Sequence, residues 1–182
     1  MDYDHIILSI VGSHAGEEIK DIFTRKQQEI ERSSLSFWLI HSFKARPYTV
    51  QEFCKEAEGE VYCFFITGSS LTAARPTVVA HQAKEFSIDQ KEWERFPRGI
   101  KVTGKINLQA TALVFDDIVL PKTPILVDLW EYTETDSSPV QFQLGASTIC
   151  VSKHPSSVGT KTRFRKILAI GKFSAPYGVW VR

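Results

Sequence analysis

Long hydrophobic segments are missing from this sequence. No apolar run approaches the roughly 20 residues that a membrane-spanning helix needs, and residues 1 to 5 lack the basic start of a signal peptide. The composition, 43% hydrophobic and 24% charged, is typical of a globular protein and argues against a disordered or collagen-like chain. We therefore predict a soluble protein of the cytoplasm or nucleus that does not bind a membrane.

Cysteine is scarce, and no motif groups it with metal-binding or catalytic partners. Cys54, Cys63 and Cys150 form no Cys-x-x-Cys pair, which argues against a disulfide framework and a zinc site. The 5 histidines form no close pair of the kind that ligates metals, and the sequence has no Gly-x-Ser-x-Gly nucleophile elbow. We therefore predict reduced, mostly buried thiols, with no metal and no cofactor.

Acidic residues are missing from the C-terminal part of the chain. All 21 acids lie within residues 1 to 136, where Lys and Arg number 15 and the net charge is −6. Residues 137 to 182 hold 7 basic residues and no acid, a net charge of +7. This asymmetry indicates either an anion-binding surface or a basic strand that pairs with acidic neighbours.

The spacing of apolar residues predicts a single α+β domain over residues 1–182. Strand and helix patterns alternate in residues 1–67, which predicts a β-α-β-α-β unit with three parallel strands and helices on one face. Residues 68–182 contain a series of strand patterns separated by Pro, Gly, Ser and Asp clusters. We therefore predict a mostly antiparallel, β-rich second half.

The two predicted helices have sequence signals for their ends. The first helix follows a glycine-containing turn at residues 12 to 16, with Ser13 as its N-cap, and runs to about Arg32. The second begins at Thr49, where Thr49 and Glu52 fit a capping box, and ends at Gly59. Its apolar stripe predicts packing on the sheet through Val50, Phe53, Cys54 and Ala57.

The triplet Ala-Arg-Pro occurs twice, each time shortly after an apolar strand. Proline holds the preceding residue extended, which applies to Arg46 and Arg75. If the two strands are neighbours, both guanidinium groups emerge at one sheet edge, where they suit a phosphate or carboxylate. Ser42, Lys44 and Ser69 add donors to this predicted anion site. The alternative is two ordinary loops whose arginines pair with surface acids.

A second candidate for anion binding lies in the acid-free part of the chain. Residues 161 to 166 read Lys-Thr-Arg-Phe-Arg-Lys, in which Arg163 and Arg165 share one face of a strand. Cations interleaved with an aromatic side chain suit a phosphate backbone whose bases stack on aromatic rings. The segment therefore predicts contacts with nucleotides or nucleic acid.

Two further groups of residues suggest enzyme chemistry. By strand alternation His81 and Glu85 face the same side, which suits a general acid and base, with His14 at the start of the first helix as a further candidate. Asp116 and Asp117 interrupt an apolar run, which indicates either a Mg²⁺ or base site or a β-bulge. Because successive strand residues face opposite sides, the bulge is favoured.

Three short segments carry a family resemblance: residues 37 to 42 (Phe-Trp-Leu-Ile-His-Ser), residues 61 to 69, and Ser-Ile-Asp at 87 to 89 ahead of Trp93. Together they resemble the opening of a PUA-like domain of the EVE or ASCH kind. That resemblance implies a reader of RNA or of a modified base. Residues 5 to 32 and the β-rich second half have no counterpart in it.

The sequence thus favours a binding module for an anionic ligand, either a nucleotide, a phosphorylated small molecule or a nucleic acid. Its predicted ligand-binding residues are Ser42, Lys44, Arg46, Ser69, Arg75, Arg163 and Arg165. One alternative is a small enzyme that uses His81 and Glu85, and another is a protein-interaction subunit. Whether the chain is an enzyme stays open at this point.

Overall fold

Two helices and ten strands form an α+β fold in a computed structural model that describes residues 3–11, 18–40, 42–68, 85–87, 101–103, 110–142, 146–154 and 163–181. The helices are α1 (Ile19–Ser33) and α2 (Pro47–Glu56). The strands are β1 (His5–Val11), β2 (Ser36–Ile40), β3 (Tyr62–Thr67), β4 (Glu85–Ser87), β5 (Lys101–Thr103), β6 (Ala110–Val119), β7 (Ile125–Asp128), β8 (Tyr132–Glu134), β9 (Thr148–Lys153) and β10 (Phe164–Val181). Within these ranges, no helix is long and apolar enough to cross a membrane.

The strands form one mixed sheet in the order β2-β6-β10-β3-β1-β9-β8, with β7 and β4 also paired to β10. β1 and β3 are parallel neighbours, with Ile6 beside Tyr62. β2 instead pairs antiparallel with β6, so the prediction of three parallel strands is wrong for β2. The reason is long-range: the 18-residue β10 pairs with β3 on one side and β6 on the other, and this separates β2 from β3.

Both helices begin at other residues than the sequence signals suggested. α1 begins at Ile19 with Glu18 as its N-cap residue, so Ser13 is not its cap, and residues 12 to 17 lie outside the described ranges. α2 begins at Pro47, and the capping box at Thr49 is therefore wrong. Proline is favoured at the first helical position because it lacks the N–H that would have no partner there. Arg46 is extended (φ −71°, ψ 156°), as predicted.

Of three hydrophobic clusters among the described residues, the two larger ones lie on opposite faces of the central strands, and the third surrounds Val114 of β6. The helix-covered core is centred on Phe65, whose ring lies 4.6 Å from Trp38 and 5.1 Å from Phe23, measured between centroids. The buried stripe of α2 and all three free cysteines belong to this core, as the sequence predicted. The other core contains Phe64 and Ile66 of β3 and is covered by side chains from residues 127 to 140.

The loop after β2 reaches strands at the other end of the sheet. Ser42 is buried, and its Oγ donates a hydrogen bond to the carbonyl oxygen of Thr148 at the start of β9 (2.6 Å). Lys44 forms an ion pair with Glu134 at the end of β8 (2.6 Å). The strand order places β2 and β8 at opposite ends, so the sheet curves strongly enough for this loop to connect them.

Asp116 is the extra residue of a β-bulge. β10 pairs Lys172 with Asp117 and the next residue, Phe173, with Phe115, which leaves Asp116 unmatched. This confirms the bulge that the sequence favoured. β10 continues beyond the bulge to residue 181 as a single element.

Candidate anion-binding site

The strands that precede the two Ala-Arg-Pro triplets are not neighbours in the sheet. β6 and β10 lie between β2 and β3, so the premise for a shared sheet edge is wrong. Arg46 is exposed at the start of α2. Arg75 and Ser69 lie outside the described residues, and their part in an anion site stays a prediction.

The proposed acid and base also fall largely outside the described part of the chain. His14 and His81 are not within it. Glu85 opens β4, where the strand backbone is described but the side chain is not. The catalytic pairing of His81 with Glu85 therefore stays a prediction.

Lys44 and Ser42 have structural partners. The Lys44 Nζ contacts Oε2 of Glu134, a side chain only 7% exposed, and the other carboxylate oxygen of Glu134 accepts a hydrogen bond from the Gln141 backbone N–H (2.9 Å). The Ser42 hydroxyl likewise donates a hydrogen bond to the carbonyl oxygen of Thr148. Both groups are thus engaged with the protein itself, so neither is offered to an anion.

A cavity of about 180 Å³ opens beside this ion pair. Its lining consists of Lys44, Glu134, Thr135, Asp136, Ile149 and Cys150. The two carboxylates outnumber the one cation, so the cavity does not favour an anion. It is also smaller than the roughly 300 to 1,000 Å³ typical of small-molecule pockets.

The basic segment lies on a two-stranded part of the sheet that we call the β7–β10 ribbon, residues 125–128 paired with 164–167. Phe164 is opposite Asp128, Arg165 opposite Val127 and Lys166 opposite Leu126. The backbone N–H of Arg163 donates to Oδ1 of Asp128 (2.8 Å), which fixes the chain just before β10 begins. The Arg163 guanidinium donates through Nη1 to the carbonyl oxygen of Val140 (3.1 Å).

Arg165 is only partly satisfied in its hydrogen bonding. Its Nη1 donates to the carbonyl oxygen of Phe164 (2.9 Å), while its Nε is buried and has no acceptor among the described residues. Burial lowers the pKa of Arg165, and the positive charge of Arg163 lowers it further. A guanidinium nevertheless stays charged at neutral pH. In the part of the chain that the structure describes, neither Arg163 nor Arg165 pairs with a carboxylate.

The outer face of the ribbon is apolar and exposed. Phe164 is 52% exposed, Leu126 58% and the nearby Trp130 41%, and Lys166 is exposed beside them. The sequence did not point to Trp130, because residues 125 to 132 read as one strand. The missed signal was Asp128, whose Oδ1 accepts a hydrogen bond from the Trp130 N–H (3.1 Å) and begins a short 3-10 helix, Leu129–Glu131.

The Asp116 carboxyl lies apart from the ribbon, beside the β6–β10 bulge. Partial burial raises the pKa of Asp116, which the charge of Lys172 lowers in part. Lys172 itself is paired with Glu60 (2.5 Å), which also accepts a hydrogen bond from the Tyr62 hydroxyl. The described residues contain no group of three His, Cys, Asp or Glu side chains able to hold a metal ion. The bulge therefore accounts for the Asp-Asp pair.

The three thiols are poor nucleophiles in this fold. Burial raises the pKa of Cys54 to about 12, and it raises the pKa of both Cys63 and Cys150. Because the thiolate is the reactive form, these cysteines are largely inert at neutral pH.

No protein-family model, curated protein or solved structure matches this chain. The resemblance to a PUA-like domain accordingly stays a prediction. The arguments that follow rest on the residues of this chain and their contacts.

Proposed function

We propose that this protein binds an anionic, phosphate-bearing ligand through Arg163 and Arg165 at the start of β10. The observation that carries the proposal is the buried Arg165 Nε, which has no acceptor among the described residues. Leaving a buried donor unsatisfied costs free energy, more so when the group is charged. When the Arg165 side chain turns toward the solvent, a phosphate oxygen supplies the missing acceptor. We further propose that the protein acts in the cytoplasm or nucleus.

The closeness of Arg163 and Arg165 also supports an anion between them. Burial chiefly lowers the pKa of Arg165, and repulsion by the positive charge of Arg163 lowers it further. A bound anion reverses that repulsion, because two opposite charges at short distance attract. Arginine also suits phosphate because its planar group donates two parallel hydrogen bonds.

The proposal separates the ribbon from the loop at residues 42–46. In that loop Lys44 is neutralised by Glu134, whereas the structure describes no carboxylate against Arg165. Arg46 is exposed, and Arg75, its predicted partner in an anion site, lies outside the described residues. Anion binding is therefore proposed for the ribbon first, and a contribution from Arg46 is a separate question for experiment.

Titration with tripolyphosphate, followed by calorimetry and by the NMR signals of arginine Nε–H groups, tests this proposal. We expect Arg165→Gln to weaken binding by about tenfold or more, because one charge-assisted pair of hydrogen bonds is lost. Arg163→Gln is expected to act in the same direction. The matched control is Lys55→Gln, which removes an exposed cation on α2.

Two results would contradict the proposal. One is tripolyphosphate affinity that Arg165→Gln leaves unchanged in a variant shown by circular dichroism to be folded. The other is a tripolyphosphate affinity that falls in Arg46→Gln but not in the ribbon variants, since this would indicate that the anion binds at the loop instead. Added salt should weaken binding in the native protein. In Arg165→Gln, the slope of log affinity against log salt concentration should become shallower by about one unit.

A further inference from the structure

The outer face of the β7–β10 ribbon places an aromatic ring and a cation side by side. Strand alternation sends Phe164 and Lys166 to the same face, about 7 Å apart along β10. Their partners on β7, Asp128 and Leu126, lie on this face as well. Arg165 alternates to the other face, and its guanidinium donates to the backbone carbonyl oxygen of Phe164, which keeps it close to the strand.

The exposure of these side chains has no structural reason within the described residues. A phenylalanine usually stabilises a fold because its ring is removed from water. Phe164, at the first position of β10, instead leaves 52% of its surface exposed. Trp130 is 41% exposed, and the chain around it is fixed by Asp128. Their rings are therefore held by ordered backbone, with one surface open to a ligand.

The charges around these rings are complementary to a phosphate chain. Lys166 is exposed and, like Arg165, has no carboxylate partner among the residues that the structure describes. Asp128 is the acid on the face, and its Oδ1 is taken by the N–H groups of Trp130 and Arg163. Glu131 is a second, exposed acid at the end of the 3-10 helix. With Arg163 included, three cations lie on or beside the ribbon against these two acids.

From this arrangement we infer that the ligand is single-stranded nucleic acid, with bases stacked on Phe164 and Trp130 and phosphates paired with Arg165 and Lys166. This inference rests on the proposed anion site. Base stacking on aromatic rings needs unpaired bases, whose faces are open, whereas a duplex hides them. A protein partner fits less well, since a stable interface buries about 800 Å² on each side with charged residues depleted at its centre.

Fluorescence anisotropy with labelled oligonucleotides tests the inference. The probes are a mixed-sequence RNA of about 12 nucleotides, its DNA counterpart, an abasic oligomer with the same backbone, and a duplex. We expect the base-bearing single strands to bind about tenfold more tightly than the abasic oligomer. Phe164→Leu should abolish most of that difference, and Phe164→Tyr, which keeps a ring, should retain it.

The chain offers a closely matched control for this substitution. Phe43 is 51% exposed, almost the same fraction as Phe164, but lies in the loop at residues 42–46. Phe43→Leu should leave binding of all probes unchanged. Arg165→Gln should weaken the binding of the abasic oligomer and of the base-bearing strands by the same factor.

The possible failures distinguish the inference from the proposed function. Equal affinity for base-bearing and abasic oligomers, with Arg165→Gln still weakening both, would overturn base stacking and leave the anion site standing. Tighter binding of the duplex than of the single strand would also overturn the inference. If neither the oligonucleotides nor tripolyphosphate bind, both proposals fail together.

Discussion

The loop at residues 42–46 and the β7–β10 ribbon look alike as sequence and differ as structure. Both carry basic residues next to an apolar strand, and both were predicted to bind anions. In the loop, Lys44 is neutralised by Glu134 and Ser42 is bonded to Thr148. In the ribbon, Arg165 has a buried donor without an acceptor among the described residues. The partner of a cation, rather than its residue type, therefore separates a structural charge from a candidate site.

The curvature of the sheet explains the difference. It brings the loop after β2 against β8, where Glu134 is the last residue of the strand. The ribbon has an acid of its own in Asp128, but this carboxylate accepts hydrogen bonds from backbone N–H groups. Glu134 thus meets Lys44, whereas Asp128 lies on the face of the ribbon opposite to Arg165.

Lys44→Met is the substitution for which we expect the largest effect. It leaves the Glu134 carboxylate, which is 7% exposed, without its cation and with the Gln141 N–H as its hydrogen-bond donor. We expect the free energy of unfolding to fall by about 2 to 3 kcal/mol, measured by urea denaturation, with tripolyphosphate affinity unchanged.

The control for Lys44→Met is Lys55→Met, an exposed change on α2 that should alter stability by less than about 0.5 kcal/mol. A double-mutant cycle with Glu134→Gln should show that the two effects are not additive, because both remove the same ion pair. Loss of anion affinity in Lys44→Met with stability retained would overturn the contrast between loop and ribbon.

Arg165→Met is the corresponding substitution in the ribbon and should have a smaller effect on stability. It removes a buried donor that has no acceptor among the described residues and relieves repulsion with Arg163, while its methylenes are largely replaced. We expect the ligand-free free energy of unfolding to change by less than about 1 kcal/mol, while tripolyphosphate affinity falls. A loss of stability as large as that of Lys44→Met would show that Arg165 is structural.

Asp116→Asn tests whether a partly buried charge of the other sign has any part in binding. Burial raises the pKa of Asp116 in the folded protein, so the folded state binds its proton more tightly than the unfolded state. Stability contributed by this group is therefore present at low pH and is lost as pH rises through the folded pKa.

We expect Asp116→Asn to remove this loss. At pH 7 the variant should be more stable than the native protein by about 0.2 to 0.5 kcal/mol, a small value because most of the carboxylate is in water. The gain should disappear below about pH 4, where the carboxyl is protonated in both states. Thermal unfolding across this pH range is the measurement, and a constant difference at every pH would contradict the pKa explanation. Tripolyphosphate affinity should not change.

Local sequence patterns predicted the helices and strands well, but they predicted poorly which strands pair in the sheet. The apolar stripe with Val50, Phe53 and Cys54 was identified correctly because a helical period is visible within ten residues. The bulge at Asp116 was also predicted, since two successive acids in an apolar strand face opposite sides. The position of β2 was not, because its neighbour β6 begins 70 residues after β2 ends at Ile40.

The candidate site divides in the same way. The basic segment with Arg163 and Arg165 was visible in the sequence as the place where acids are missing. The exposed Trp130 and the pairing of Phe164 with Asp128 were not, because they depend on the register of β7 against β10. Residues such as Arg75 and His81 lie outside the described ranges, and their roles stay predictions.

The sequence by itself determined the α+β class, the buried thiols and the charge asymmetry, since these follow from composition and from periods of two or a few residues. Tertiary structure alone decided which cations are neutralised. Lys44 and Glu134 are 90 residues apart in the chain and meet because the sheet curves. Arg165 keeps an unpaired donor in the described structure, and strand alternation sends its side chain to the face of the ribbon opposite to Asp128. Electrostatic pairing acts over a few ångströms in space, and distance along the sequence does not report that separation.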